Sequence, residues 1–183
     1  MGFVFHHMTG ASARAVLSDP YVDIYLAIRT EPPYNAGPLY SRERFVERTA
    51  AQVERPGFEL VASELDGRPA GFAFGMTMEA GRWWGGETTE PPSEVLDAPK
   101  FAVIELDLLP EHRGLGVGKR LLGELLDGRT EPWATLLSRP DTPAHGMYRR
   151  WGWRVVGTVR PAPDAVVADA MVVQLGVGAG IRG

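Results

Sequence analysis

A glycine-rich run in the middle of the chain has the residue types that bind phosphate. It reads Arg113-Gly114-Leu115-Gly116-Val117-Gly118-Lys119. An apolar, strand-like run over 101–109 precedes it, and leucines at helical spacing follow it. A strand, a glycine-rich turn and a helix aim free backbone N–H groups at an anion, and glycine lets that anion approach the main chain closely. The run therefore predicts a phosphate-binding loop at the start of a helix.

The spacing of the glycines excludes two common phosphate loops. The dinucleotide fingerprint G-x-G-x-x-G needs its last glycine where Lys119 or Leu121 stands, depending on the frame. The Walker loop needs a glycine at position 113 and a hydroxyl at position 120, and both positions hold arginine. The pattern that fits is R-x-x-G-x-G, formed by Arg113, Gly116 and Gly118.

A second block follows this loop along the chain. It reads Asp141-Thr142-Pro143-Ala144-His145-Gly146-Met147-Tyr148-Arg149-Arg150-Trp151-Gly152-Trp153. The two blocks together resemble the GNAT family of N-acetyltransferases, which carry R-x-x-G-x-G and then N-x-x-A-x-x-L-Y-x-x-x-G-F. Ala144, Tyr148 and Gly152 match in type and spacing, while Asp141 replaces the asparagine. The family's strand ending L-x-V-x-P is matched by the run from Leu106 to Pro110.

The resemblance implies acetyl-CoA as the cofactor and assigns residues to it. The backbone of Leu106 to Leu108 would hold the pantetheine arm as an extra strand, with the N–H of Leu108 facing the thioester oxygen. The N–H groups of the glycine-rich loop would bind the pyrophosphate, and the flanking basic side chains would add charge. The residues assigned to the cofactor are Leu106, Asp107, Leu108, Arg113, Gly114, Leu115, Gly116, Val117, Gly118, Lys119 and Asp141.

Acetyl transfer to an amine needs a neutral nitrogen, a polarised thioester carbonyl and a protonated leaving thiolate. Tyr148 is the candidate acid, because the tyrosine at this motif position lies near the CoA sulfur in many members of the family. Glu105 is the candidate base, with Asp107 or water as alternatives. Alternate residues of a strand share a face, so Glu105 and Asp107 are expected to point the same way. The competing interpretation is that both carboxylates face solvent or bind nearby arginines.

Two loops carry aromatic residues that could hold an acceptor. Tyr34 and Asn35 lie in a proline-rich break, and Trp83 and Trp84 lie in a long connection over 79–100. The resemblance places loops of this kind around the acceptor, and aromatic faces bind cations. Packing against the core or a dimer contact is an equally good interpretation of the tryptophans. The histidines show no spacing with acids that suggests a metal, so no metal is assigned.

The composition narrows the class of protein. With 183 residues, 23% charged and 44% hydrophobic, the chain is expected to be one globular domain over 1–175 with a flexible tail over 176–183. A net charge of −4 argues against a nucleic-acid-binding protein, and no apolar run is long enough to span a membrane. The chain holds no cysteine, which excludes disulfides and a cysteine nucleophile. The N-terminus lacks the features of a signal peptide, so a cytoplasmic location is expected.

The elements that must position these residues follow from apolar periodicity. Predicted strands cover 3–8, 58–65, 70–78, 101–109, 133–138, 153–159 and 166–175. Predicted helices cover 12–17, 19–29, the segment from 41 to the Pro56-Gly57 break, 116–126 and 143–151. The resemblance implies an α/β (α+β) fold, with a mixed central sheet of about seven strands flanked by about four helices.

The sequence thus predicts an acetyl-CoA-dependent N-acetyltransferase that acts directly on a primary amine of a small molecule. Within the same family, the alternative is a transferase for protein N-termini or lysines. A catalytically silent acyl-CoA-binding domain is the alternative from another class. Members of the family are often dimers, so the resemblance is compatible with a homodimer.

Overall fold

The structure is a computed structural model that describes residues 2–176. The chain forms two compact units. The first runs up to Met76 and resumes over Val103–Asp127, and the second covers Thr77–Ala102 and residues 128–176. One domain over 1–175 and a flexible tail over 176–183 stay predictions, and residues 177–183 of that tail lie outside the described residues.

Eight strands are present within residues 2–176. They are β1 Val4–Thr9, β2 Glu59–Leu65, β3 Arg68–Met78, β4 Glu87–Thr88, β5 Lys100–Leu108, β6 Trp133–Ser138, β7 Arg154–Arg160 and β8 Ala168–Gln174. The strand order is β1-β2-β3-β5 in the first unit and β5-β6-β8-β7-β4 in the second. Strands β5 and β6 pair in parallel, whereas β1–β2, β2–β3, β6–β8, β7–β8 and β4–β7 are antiparallel. The predicted α/β class with a mixed sheet is confirmed.

Five α-helices and three short 3₁₀ helices occur in the described part of the chain. The α-helices are α1 Asp19–Arg29, α2 Arg42–Gln52, α3 Ser93–Leu96, α4 Val117–Leu126 and α5 Pro143–Arg150. The 3₁₀ helices are Gly10–Leu17, Pro38–Tyr40 and Pro110–His112. Between residues 2 and 176, no helix combines the length and apolar character that crossing a membrane requires.

Helices α1 and α2 cover the sheet of the first unit. Pro20 lies in the first turn of α1, where its missing N–H costs nothing, and the hydroxyl of Ser41 accepts the N–H of Arg44 at the start of α2. Tyr25 of α1 stacks on Phe45 of α2 with ring centroids 4.1 Å apart, and both are fully buried. Burial of these aromatic faces fixes α1 against α2.

The long connection of the second unit is more structured than the sequence indicates. Residues 79–100 contain the short strand β4 and the short helix α3. The connection is also tied by the ammonium of Lys100, which is fully buried and donates to the carbonyl oxygens of Leu96 and Ala98 at 3.1 and 2.9 Å. Burial lowers the pKa of Lys100, and Asp97 opposes that shift.

Candidate functional site

The glycine-rich run forms a turn directly before α4. Gly114 and Gly116 have φ of 76° and 80°, a left-handed conformation that L side chains rarely adopt. Gly116 is the N-cap of α4, and no side chain caps the helix there. A Cβ at either position would meet nothing within 4 Å, so space is open beside the turn. The first N–H groups of α4 are therefore arranged to bind an anion.

The buried face of α4 explains the local fold of the loop. Val117 and four leucines at helical spacing are buried, namely Leu121, Leu122, Leu125 and Leu126. Leu115, by contrast, is 67% exposed within the turn. Packing of the apolar stripe holds the helix start in place while the turn stays at the surface.

Arg113 ties the turn to two neighbouring segments of the first unit. Its Nε donates to the carbonyl oxygen of Leu108 at 3.2 Å, and its Nη1 lies 2.8 Å from Oε2 of Glu31. Arg113 was predicted to add charge near a phosphate, and here its guanidinium organises the loop after β5. Lys119, the other predicted cation, lies on α4 and takes part in interactions of its own.

The end of β5 runs close to β3. A Cβ on Gly71 would lie 2.5 Å from the carbonyl oxygen of Asp107 and 2.9 Å from Cδ1 of Leu108. The N–H of Leu109 donates to the carbonyl of Ala70 at 3.0 Å. Only glycine allows this approach, which fixes the position of the predicted cofactor residues Leu106, Asp107 and Leu108.

The two carboxylates of β5 meet a single guanidinium. Arg29 Nη2 donates to Glu105 Oε2 at 2.5 Å, and Arg29 Nη1 donates to Asp107 Oδ1 at 2.8 Å. Arg48 of α2 donates through Nη2 to the other oxygen of Glu105 at 2.9 Å. We call Arg29, Arg48, Glu105 and Asp107 the Arg29 cluster. Glu105 and Asp107 do share a face, and both bind arginine, as the competing interpretation predicted.

Tyrosine rings enclose the guanidinium of Arg29. Its Cζ lies 4.4 Å from the ring centroid of Tyr25 and 4.8 Å from that of Tyr34. Burial raises the pKa of Tyr25 to about 12, and burial raises that of Tyr34 as well. Burial disfavours charge on Arg29, but Asp107 and Glu105 outweigh it and hold its pKa well above the ordinary value. Arg29 is thus a permanent, fixed cation.

The two carboxylates of the cluster differ in their surroundings. Both oxygens of Glu105 accept from guanidiniums. Asp107 Oδ2 is buried and has no hydrogen-bond partner among the described residues, while the side chain as a whole is 3% exposed. Burial raises the pKa of Asp107 to about 7, and Arg29 works against that rise. Burial without a second hydrogen-bond donor thus favours the neutral form of Asp107.

The sequence reasoning missed Arg29 and Arg48. Arg29 carries a signal, because Tyr21, Tyr25 and Arg29 follow each other at four-residue spacing on one face of α1. Arg48 has no such sequence signal, because it is one of several charged residues along α2. In the structure its side chain is 41% exposed. Asn35, the predicted neighbour of Tyr34, is exposed and donates to the carbonyl of Pro33.

Tyr148, the predicted acid, belongs to the second unit. It lies on α5, is 8% exposed, and packs edge-on against Trp151 and Trp153 with centroids 5.9 and 6.0 Å away. Asp141 precedes this helix, and its carboxylate accepts from Arg139 Nη2 at 2.6 Å and from Nε at 2.9 Å. The hydrogen bonds from Arg139 lower the pKa of Asp141.

The two tryptophans of the long connection lie in different settings. The indole N–H of Trp84 donates to the hydroxyl of Thr135 on β6 at 3.1 Å, which ties this ring back onto the sheet. The indole nitrogen of Trp83 is buried without a hydrogen-bond partner within residues 2–176. Buried N–H groups nearly always have partners, so Trp83 is the tryptophan of this connection whose N–H the described residues leave unsatisfied.

No metal site is found in the described part of the chain, where no three histidine, cysteine, aspartate or glutamate residues lie close enough to hold an ion. His6, His7 and His145 pair with carboxylates instead. His145 Nε2 lies 2.8 Å from Asp169 Oδ2, which links α5 to β8.

The family of the chain follows from comparison with known proteins. Residues 21–153, which include the turn before α4, the Arg29 cluster and Tyr148, match the model of the acetyltransferase (GNAT) family. The chain belongs to this family. No curated protein matches the sequence. GNAT enzymes use acetyl-CoA, so the predicted family and cofactor are both confirmed.

Solved structures of GNAT proteins share the fold. One is the PaiA N-acetyltransferase of Thermoplasma acidophilum in complex with coenzyme A, with 12% identity, a TM-score of 0.60, and coverage of 96% of this chain and 100% of that one. Another is the ribosomal-protein-S18-alanine N-acetyltransferase of Escherichia coli, with 17% identity, a TM-score of 0.59, and coverage of 98% and 99%. At these identities the likeness concerns the fold alone.

Proposed function

We propose that this GNAT protein transfers an acetyl group from acetyl-CoA directly to a primary amine of a small molecule. The observation that carries the proposal is the turn before α4. Its glycines adopt left-handed conformations, no side chain caps the helix, and the space beside the turn is open. These are the properties that a pyrophosphate-binding helix start requires.

The residues fit the cofactor that the family uses. The backbone of Gly114 to Gly118 would hold the pyrophosphate, and the end of β5 at Leu108 would hold the pantetheine arm. Bound acetyl-CoA would supply the thioester that the amine attacks. Arg113 holds the carbonyl of Leu108 through its Nε, so it fixes the loop and the end of β5 relative to each other.

Tyr148 is proposed to protonate the leaving thiolate. A phenol needs only hydrogen-bond reach to do so, and the edge-on contacts with Trp151 and Trp153 hold its ring in one orientation. Replacing Tyr148 by Phe keeps the ring and removes the hydroxyl. We expect turnover to fall about 100-fold with acetyl-CoA affinity retained. A silent acyl-CoA-binding domain would show no turnover in either form.

Glu105 was the leading candidate for the base, and its contacts favour another role. Each of its oxygens already accepts from a guanidinium, at 2.5 Å from Arg29 and 2.9 Å from Arg48. A carboxylate held in this way anchors the two arginines. We therefore propose Glu105 as the residue that positions the guanidinium of Arg29 at the C-terminal end of α1.

Tyr34 and Asn35 of the first unit, and Trp83 and Trp84 of the second, stay the proposed acceptor-binding residues, with Trp83 as a hydrogen-bond donor. Its unpartnered indole N–H supports an acceptor that offers a hydrogen-bond acceptor atom near its amine. The Escherichia coli neighbour is named for a protein substrate, but an identity of 17% extends only to the fold. The homodimer and the cytoplasmic location stay predictions.

Release of free CoA thiol tests the proposal. The protein is incubated with acetyl-CoA and, in turn, with spermidine, glucosamine, amino acid amides and a peptide with a free N-terminus. We expect release with at least one small amine and less with the peptide. Release with the peptide alone would indicate that the acceptor is a protein. No release of CoA with any amine would contradict the proposed transfer.

A further inference from the structure

Both ring nitrogens of His7 contact carboxylates from different elements of the first unit. Nδ1 lies 2.9 Å from Oε1 of Glu59 on β2, and Nε2 lies 3.1 Å from Oε2 of Glu124 on α4. A neutral imidazole has one N–H donor and one lone pair, so it can donate to only one of these carboxylates. The imidazolium donates to both. The arrangement therefore fits the protonated, positively charged form of His7.

The spacing of residues on β1 and α4 brings His7 to this position. Phe5 and His7 are alternate residues of β1 and share a face, while Arg120 and Glu124 are about one turn apart on α4. The guanidinium of Arg120 lies over the Phe5 ring, with Cζ 4.3 Å from the ring centroid, and its Nε lies 3.4 Å from Oε1 of Glu124. Two residues of the strand thus meet two residues of the helix.

The helix that His7 contacts is the one that begins at the glycine-rich turn. Helix α4 packs against β1 and β2 through its buried apolar stripe, whereas the side chain of His7 is 44% exposed and lies at the rim of this interface. The N–H of Arg120 donates to the carbonyl oxygen of Gly116 at 3.1 Å. The part of α4 that contacts β1 is therefore hydrogen-bonded directly to the turn.

The charges that face His7 balance when it is protonated. Glu59 and Glu124 are negative, and Arg120 and the imidazolium are positive. The hydrogen bond with Glu59 is the main cause that raises the pKa of His7 above its ordinary value of 6.5; burial opposes this rise, and Glu124 adds to it. Because the pKa is raised in the folded state, these bonds stabilise the fold below pH 6.5 and are lost as the pH rises through the higher value.

We propose that His7 is a proton-dependent tie that holds α4 against β1 and β2 and thereby favours acetyl-CoA binding at the turn before α4. The effect on binding rests on the proposed role of that turn. Without the proton, Glu59 or Glu124 faces a ring nitrogen that cannot donate, and the positive charge between the two carboxylates is gone. The helix is then held less firmly, so binding of the cofactor must order the turn at a greater cost in free energy.

The test compares His7→Gln with His6→Gln by calorimetric titration with CoA from pH 5.5 to pH 8.5. Each variant replaces a histidine of β1 by a neutral side chain that still forms hydrogen bonds. His6 is the matched control, because it lies on the opposite face of β1 and pairs with Glu64 at 3.2 Å. A phosphate monoester such as that of CoA has a pKa of about 6, so each dissociation constant is divided by the wild-type value at the same pH.

H7Q should bind CoA about threefold more weakly than the wild type at pH 5.5 and equally well at pH 8.5, since one exposed ion pair is lost. H6Q should bind CoA as the wild type does at both pH values. A ratio for H7Q that stays constant across this range would overturn the proposal.

Histidine ring NMR of the wild-type protein keeps the proposal testable if H7Q folds poorly. With isotope-labelled histidine, both ring nitrogens of His7 should carry protons below a titration midpoint that lies above pH 6.5. Because coupling is reciprocal, CoA should raise this midpoint by about half a pH unit, the logarithm of the threefold ratio. A midpoint at or below pH 6.5, or one that bound CoA leaves unchanged, would overturn the proposal. Absence of CoA binding at every pH would instead contradict the proposed cofactor turn.

Discussion

Removing the charge of Asp107 is expected to change how stability depends on pH. The carboxyl has a pKa of about 7 in the folded protein against an ordinary value of 3.8, with burial as the main cause. The folded state therefore binds the proton more tightly than the unfolded state does. Stability is highest when both states are protonated, and it falls as the pH rises from about 4 to about 7. This direction is opposite to that of a carboxylate stabilised by a salt bridge.

The size of the effect follows from the two pKa values. Each pKa unit of difference corresponds to about 1.4 kcal/mol, so a difference of about three units gives roughly 4 kcal/mol in total. Between pH 5 and pH 8 the wild type should lose roughly 2–3 kcal/mol of unfolding free energy through this group. Asp107→Asn has no proton to exchange there and should lack that loss.

Urea unfolding at half-unit steps from pH 5 to pH 8 measures the difference. The unfolding free energy of the wild type minus that of D107N should fall steadily with pH, most steeply below pH 7. Asp66→Asn is the matched control, because Asp66 is exposed in the β2–β3 turn and Asn suits its left-handed conformation. A constant difference between wild type and D107N across this range would refute the reasoning.

Three further substitutions test single features. Gly116→Ala places a side chain on a residue with left-handed backbone, so it should lower the unfolding free energy by about 1–2 kcal/mol and weaken acetyl-CoA binding. The control Gly123→Ala, in the middle of α4, should leave stability unchanged or raise it. Calorimetric titrations and thermal melts of the two variants measure both effects. Gly86→Ala should separate β4 from β7 and lower the melting temperature, since its Cβ would collide with the Arg160 carbonyl oxygen. The control Gly85→Ala should leave the melting temperature unchanged. Equal melting temperatures for the two variants would contradict this prediction. Lys100→Met removes the donor to the carbonyl oxygens of Leu96 and Ala98. It should lower the unfolding free energy by about 2–3 kcal/mol and speed proteolysis within 79–98, and unchanged cleavage would be the contrary result.

Much of the fold could be predicted because its signals are local. Pro20 and the apolar spacing after it mark α1, and Gly116 marks the start of α4. Strand β4 gave no such signal, since it is two residues long and forms only by pairing with β7, about 70 residues further on. Sequence pattern cannot show a pairing whose partner lies so far along the chain.

The candidate site, like the fold, could be predicted only in part. Alternation along β5 predicted that Glu105 and Asp107 share a face, and both do bind Arg29. Their unequal roles could not be predicted, because they depend on Arg48 reaching Glu105 across 57 residues of sequence and leaving Asp107 Oδ2 without a donor. Charge state at such a site is a property of the packed fold.

A thermal-shift titration shows whether the turn before α4 binds acetyl-CoA. Saturation at 100 times the dissociation constant adds about 2.7 kcal/mol, which for a chain of this size raises the melting temperature by about 5–11 °C. Acetyl-CoA and CoA should both produce this rise, and NADH should not. The rise should also be smaller in Gly116→Ala than in Gly123→Ala. No rise with either CoA form, or an equal rise with NADH, would contradict the account.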